Sequence, residues 1–267
     1  MLATVNSNTR FGGWLRRALG VVGGLVLALS GGGGAVASDH PSASEVFARR
    51  AREAYEQARK GHREKPDDPE KAWEFGRACF DWAEYATSKS QRARLAEEGI
   101  GVCRGAIRRS PKLPGAHYYL AMNLGQLART RNLGALPLVD ELEGSLLRAR
   151  ALDAKFNHAG SDRSLGMLYR DAPGWPISVG SKKKAREHLT NAVKLDPEYP
   201  ENRIVLLESA IEWDDKKLLR AEFANTSATL KRARRKLTGE PWEASWADWD
   251  KRWKQIQATA AKEFGIR

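Results

Sequence analysis

The chain has 267 residues, of which 45 are lysine or arginine and 33 are aspartate or glutamate, so its formal net charge is +12. This charge favours acidic partners, anionic envelope polymers or membrane surfaces. It does not indicate nucleic-acid binding, because no nucleic-acid-binding module is recognisable. A simpler interpretation is that lysine and arginine cover the outer faces of a helical array.

The first 37 residues have the pattern of a secretory signal peptide. Three arginines precede an apolar run at residues 18–30, which is shorter than the ~20 apolar residues that a membrane span needs. Residues 35–37, Ala-Val-Ala, give the small-x-small pattern that signal peptidase prefers, so we predict cleavage after Ala37. The protein would then be periplasmic or secreted, in a bacterial cell envelope, with no stable membrane span. The alternative is a segment retained as an N-terminal anchor.

A small-large-small pattern followed by a proline recurs along the chain. In the clearest copy, Ala185, Leu189 and Ala192 are spaced by four and three residues, and Pro197 follows five residues later. Small residues let a second helix approach closely, and the large residue inserts between its side chains. The pattern resembles the second helix of a tetratricopeptide repeat, a helix-turn-helix unit of ~34 residues.

Other copies keep the same spacing, and an apolar helix signature follows the proline at a constant distance. Two copies are in phase and one is degenerate, and their positions are Gly99, Cys103, Ala106 and Pro111; Ala54, Ala58, Gly61 and Pro66; and Leu142, Leu146, Ala149 and Ala154. Together with the copy at residues 185–197, three copies are in phase, which is hard to obtain by chance. The sequence therefore predicts an all-α solenoid of tetratricopeptide-like helical hairpins over residues 38–237.

The ends of the paired helices are predicted from the same phase. The first helix should run from about Glu45 to Gly61, with Ser44 as its N-cap, and should close the N-terminal end of the array.

The helices within each pair are unusually far apart in sequence. Either a helix is longer than usual, or a loop is inserted on one edge of the solenoid, where such insertions often form a binding rim.

The two cysteines, Cys79 and Cys103, occupy apolar positions of consecutive repeat helices. We interpret them as small buried hydrophobic residues. A disulfide between them is the alternative in an oxidising compartment, because the two helices should be antiparallel neighbours.

The last insertion, at residues 169–182, is the most distinctive segment and the candidate binding site. Its prolines and glycines exclude a regular helix through its middle, yet it contains large apolar residues. Ser181 should cap the next helix, whose first turn is unusually basic. The predicted ligand- or partner-binding residues are Tyr169, Trp175, Ile177, Lys182 and Lys183. The alternative is that Trp175 folds back onto the solenoid.

The C-terminal segment, residues 238–267, is predicted to form a capping helix after a basic helical stretch that ends at Lys236. Its large apolar residues share one helical face: Trp242, Trp246, Trp249, Trp253 and Ile256. We expect this face to seal the open end of the repeat core. Recruitment of a partner or of a membrane interface is the alternative.

No catalytic constellation is apparent, so we expect no enzyme activity and no cofactor. The five histidines are scattered and have no metal-ligand spacing. Residues 160–166 are rich in glycine and serine but lack the Lys-Ser/Thr pair of a phosphate-binding loop. No strand pattern appears, which excludes nucleotide-binding α/β folds.

Residues 45–264 resemble the T component associated with tripartite (TRAP) periplasmic transporters. The residues that carry this resemblance are Leu165-Gly-Met-Leu-Tyr169, Ala172-Pro-Gly-Trp175, Gly180-Ser181, Pro200-Glu-Asn-Arg203 and Pro241-Trp242. The resemblance implies an all-helical, repeat-based periplasmic protein that holds or passes on small, often apolar ligands through a central pore, beside a transporter substrate-binding protein. Two functions are therefore expected: a non-catalytic scaffold that binds a protein or peptide on its concave face, or a transport-associated ligand carrier.

Overall fold

The computed structural model describes residues 42–131 and 135–266, and this part of the chain is all-helical. It contains ten α-helices and a final π-helical turn: α1 Ala43–Glu64, α2 Pro69–Ala83, α3 Lys89–Arg109, α4 Pro114–Ala128, α5 Leu136–Leu152, α6 Phe156–Asp171, α7 Lys182–Leu195, α8 Pro200–Glu212, α9 Lys216–Lys236, α10 Glu240–Thr259 and the turn Ala260–Phe264. The signal peptide predicted at residues 1–37 lies outside the described residues.

The helices form four hairpins that stack in chain order: α2 with α3, α4 with α5, α6 with α7, and α8 with α9. Helices α3 and α4 pack extensively between the first two hairpins. The small-large-small pattern is responsible, since Ala185, Leu189 and Ala192 of α7 are fully buried. The predicted all-α solenoid of helical hairpins is confirmed.

Helix α1 begins two residues earlier than predicted. Its N-cap is Ser42, whose hydroxyl accepts a hydrogen bond from the backbone N–H of Glu45 at 3.3 Å. The Glu45 carboxylate in turn accepts from the backbone N–H of Ser42 at 2.7 Å. The assignment of Ser44 as N-cap was wrong, because only Ser42 has a glutamate three residues later to complete this capping box.

The unusually long spacings within the hairpins have different causes. Helices α2 and α3 are separated only by residues 84–88, and α3 itself is 21 residues long. Between α6 and α7, in contrast, residues 172–181 form a true insertion, which we call the edge loop. One hairpin therefore has a longer helix and another an inserted loop.

The two cysteines are free thiols in the structure, so the alternative of a disulfide is not realised. Both are buried, and burial raises the pKa of the Cys79 and Cys103 thiols. The Sγ atom of Cys103 packs where a Cβ on Gly76 would stand. The sulfur fills the contact between hairpin helices, as expected of a small hydrophobic residue.

The tryptophan face of α10 closes the C-terminal end of the helical array. Gly239, with φ of +83°, separates α9 from α10, and α10 packs on α8. Trp246, Trp249 and Ile256 are buried, while Trp242 and Trp253 are partly buried against the same cluster. The capping role predicted for this helix is confirmed.

Within residues 42–131 and 135–266, no helix combines the length and apolar character that a membrane span requires.

Candidate functional site

The edge loop is an ordered projection that is closed at its base. The backbone N–H of Gly180 donates to the carbonyl of Pro173, and that of Ser181 donates to the carbonyl of Tyr169, each at 2.8 Å. A Cβ on Gly180 would collide with the carbonyl oxygens of Ala172 and Pro173, so only glycine fits there. The loop therefore leaves and rejoins the helices at one narrow point.

The tip of this loop presents two large apolar side chains to solvent. Trp175 is 89% exposed and Ile177 is 65% exposed. Among the described residues, the other exposed large hydrophobic side chains are Leu136 and Leu147, both on α5 and both less exposed. Adjacent exposed apolar groups on a fixed backbone are typical of interaction sites. The alternative, that Trp175 folds back onto the solenoid, is not what the structure shows.

Tyr169 supports the loop from beneath and does not belong to the exposed surface. Its side chain is only 2% exposed, and its hydroxyl donates to Glu143 on α5 at 2.5 Å. Burial and the nearby Glu143 carboxylate raise the pKa of the Tyr169 hydroxyl, so it stays protonated. Its position at the end of α6 faces the neighbouring helices, so the structure places this predicted binding residue away from the exposed surface.

The predicted lysines lie beside the loop at the start of α7. Ser181 caps this helix as expected, accepting from the backbone N–H of Lys184 at 3.3 Å. The Lys182 ammonium donates to the carbonyl of Trp213 at 3.4 Å and lies 5.8 Å from that indole's centroid. Lys183 is exposed and forms no ion pair within the described part of the chain. Lys183 is thus the freer of the two cations.

A strained turn at the start of α6 was not anticipated from the sequence. Asn157, His158 and Ala159 have φ values of 50°, 58° and 56°, in the left-handed region that non-glycine residues avoid. Each such residue costs roughly 1–2 kcal/mol. The surrounding structure must therefore hold the turn in place.

Two buried polar side chains hold this turn. The Arg163 guanidinium donates to the carbonyl of His158 at 3.0 Å and to the side-chain oxygen of Asn202 at 2.7 Å. The Asn202 amide donates to the same His158 carbonyl at 3.2 Å. Arg163 and Asn202 are both fully buried. Residues 160–166, which lack the signature of a phosphate-binding loop, therefore position the backbone of this turn through Arg163.

The turn contributes to a recess of about 350 Å³ between α2, α4 and α6, which we call the aromatic recess. The rings of Trp73 and Tyr119 stack there at 5.8 Å, and Phe156 meets Trp73 edge-on at 6.0 Å. The lining residues are Trp73, Arg77, Tyr119, Lys155, Phe156, Asn157 and His158. No local signal in the sequence joins these residues, because they come from three hairpins.

Helix α6 also carries a separate ionic cluster around Asp162. This fully buried carboxylate accepts from Arg150 on α5 at 2.9 Å, and from His188 and Asn191 on α7 at 2.7 and 2.9 Å. Burial alone would raise the pKa of Asp162, but these hydrogen bonds and the Arg150 charge hold it below the usual value. All its partners lie on the two neighbouring helices, so the cluster ties α5, α6 and α7 together.

The helices at the centre of the array leave little room for an extended ligand. Nearly every residue of α4 from Gly115 to Ala128 is buried, and most of α6 and α8 is buried as well. Binding along a concave face stays a prediction. The exposed groups of the edge loop are the more accessible surface.

Comparison with known families gives one match over part of the chain. Residues 42–134 match the family model described as regulator of microtubule dynamics protein 1-3. The match covers α1 to α4 and less than half of the chain, so it marks a similarity of this segment. No curated protein matches the chain.

This match overturns the resemblance to the TRAP transporter T component, and that assignment was wrong. The residues behind the resemblance have local structural roles that explain why they misled. Leu165 and Tyr169 are buried core residues, and Gly180 is required by the close approach of backbone at the base of the edge loop. Such residues report helix packing and loop geometry, which unrelated helical arrays can share.

Proposed function

We propose that the protein is a non-catalytic, exported helical-repeat scaffold that binds a protein partner through its edge loop. The observation that carries this proposal is the pair of exposed apolar side chains, Trp175 and Ile177, on an ordered backbone. A loop whose backbone is already fixed loses little backbone conformational freedom on binding. Tryptophan is also the residue type most enriched among energetic hot spots of protein interfaces.

The surroundings of the loop support a protein partner. Lys182 and Lys183 lie next to the loop, at the start of α7, and positive charge beside an apolar patch resembles the polar rim found around the apolar centre of protein interfaces. The family model that matches residues 42–134 is named for proteins that regulate microtubule dynamics, so its name describes an action on a protein assembly. It is compatible with a protein partner here and identifies none.

Site-specific photo-crosslinking in the producing cell tests this function. A photoreactive phenylalanine analogue replaces Ile177 in the full chain, and the matched control places it at Leu147, an exposed apolar residue on α5. We expect a discrete, protease-sensitive crosslinked product from position 177 and none from position 147. Adding Trp175→Ala should reduce the yield of this product about tenfold, as for loss of a hot-spot side chain.

Three results would contradict the proposal. Equal crosslinking from both positions would show that contact is nonspecific. Absence of any product from position 177 would remove the loop as a binding surface. Products that contain lipid and no protein would assign the loop to a membrane surface instead.

A further inference from the structure

Helix α9 concentrates the positive charge of the chain. It contains eight basic residues and one acidic residue, so its own net charge is +7, compared with +12 for the whole chain. Five of these basic residues fall in its last six positions: Lys231, Arg232, Arg234, Arg235 and Lys236. The charge is therefore densest at the C-terminal end of the helix.

Some of these cations are neutralised by neighbouring helices and others are not. Arg232 donates to both carboxylate oxygens of Glu198 at 2.9 and 2.7 Å, and Arg234 pairs with Asp250 of α10. Lys231 and Arg235 are exposed, and within residues 42–131 and 135–266 neither forms an ion pair.

Lys231 and Arg235 lie one helical turn apart on the same face of α9. Like charges at this spacing destabilise a helix by ~0.2–0.5 kcal/mol, which the dipole at the helix C-terminus offsets in part. An anionic ligand between them would remove the remaining repulsion.

The same face of α9 borders a recess of about 470 Å³ against α10, which we call the basic recess. Its apolar lining consists of Leu230 and Trp253, and the Trp253 ring is held by Phe223 at a centroid distance of 5.0 Å. The polar lining residues are Ser227, Lys231, Arg234, Arg235 and Asp250. Because Asp250 is already paired with Arg234, the recess combines an apolar lining with a cationic rim.

We propose that the basic recess binds an acidic peptide segment that carries an aromatic or aliphatic side chain. The apolar side chain would pack on Leu230 and Trp253, and flanking carboxylates would pair with Lys231 and Arg235. Arginine and lysine form their strongest hydrogen bonds with such ionised acceptors.

The shape of the recess favours a peptide over other anions. A bilayer presents its phosphates on a broad surface and cannot reach into a concave site. The backbone of a nucleic-acid duplex would pair with the cations but would leave the apolar lining unused, since its bases are already stacked on one another. This site shares no residue with the edge loop, so the two binding proposals can fail separately.

The test measures binding of a fluorescent peptide in which glutamates flank a central Phe-Leu pair, using the full chain. The variant K231Q/R235Q removes the two free cations of the recess. The control variant K216Q/K217Q removes the same charge from the opposite end of α9. We expect about tenfold weaker binding with the first variant and less than a twofold change with the control.

A third variant, Ser227→Trp, fills the recess without changing charge and should abolish binding at an unchanged melting temperature. A peptide with glutamine in place of glutamate should bind at least tenfold more weakly. Equal losses with both double variants would show nonspecific attraction and overturn the proposal. So would the absence of saturable binding, or variant-sensitive binding of heparin or of phosphatidylglycerol vesicles without binding of the peptide.

Discussion

Two tryptophan-bearing regions of the molecule have opposite surroundings. Trp249 of α10 is fully buried, and its indole N–H donates to the Glu201 carboxylate at 2.6 Å. Trp175 of the edge loop is 89% exposed. Trp249 belongs to a helical face that α8 covers, whereas Trp175 lies on a loop with no second layer above it. The comparison shows that a tryptophan in this fold is structural where a helix packs on it and stays exposed to solvent where none does.

Replacing the buried tryptophan should have the largest effect. Trp249→Ala opens a cavity at the C-terminal cap and removes a hydrogen bond from the buried Glu201. We expect a loss of ~3–5 kcal/mol in the free energy of unfolding, measured by urea denaturation. A loss below about 1 kcal/mol would mean that the cap contributes little to the core, and the contrast with Trp175 would disappear.

The base of the edge loop should show an intermediate effect. Gly180→Ala places a Cβ against the carbonyl oxygens of Ala172 and Pro173, so the base must open. We expect a destabilisation of ~1–3 kcal/mol, with faster protease cleavage inside residues 172–181. Gly101→Ala is the control, because a Cβ there meets no other atom within 4 Å. Equal cleavage rates for the two variants would show that the loop is not held at its base.

The exposed tryptophan should have the smallest effect on stability. Trp175→Ala removes a side chain that is already in solvent, so the free energy of unfolding should change by less than about 0.5 kcal/mol. Urea denaturation of this variant beside Trp249→Ala gives the comparison directly. A large loss with Trp175→Ala would return this residue to the packed core and remove the main support for the edge loop as a binding surface.

The helical hairpins could be predicted because their signals are local. The spacing of Ala185, Leu189 and Ala192 fixes one face of α7, and all three positions are buried against the neighbouring hairpin helix. The position of the edge loop was predicted for the same reason, since prolines and glycines interrupt a helix wherever they occur. The N-cap of α1 was misplaced only because a second serine lies two residues from the correct one.

The strained turn at Asn157–Ala159 could not be predicted in the same way. It depends on Arg163 and on Asn202, which is more than forty residues from the turn and belongs to the next hairpin. Asparagine and histidine tolerate the left-handed region better than most residues, but alanine does not. No local pattern therefore indicated the turn or the aromatic recess beside it.

The sequence by itself determined which segments are helical, which faces of them are apolar and where a loop interrupts them, because side-chain periodicity and backbone restriction act over a few residues. The tertiary structure decided which apolar groups are covered. Tyr169 became buried because α5 lies beside it, and Trp175 stayed exposed because no helix does. Lys231 and Arg235 came to border a recess because Asp250 and Trp253 of α10 meet side chains of α9 there. These outcomes depend on contacts between residues far apart in the chain, which periodicity does not encode.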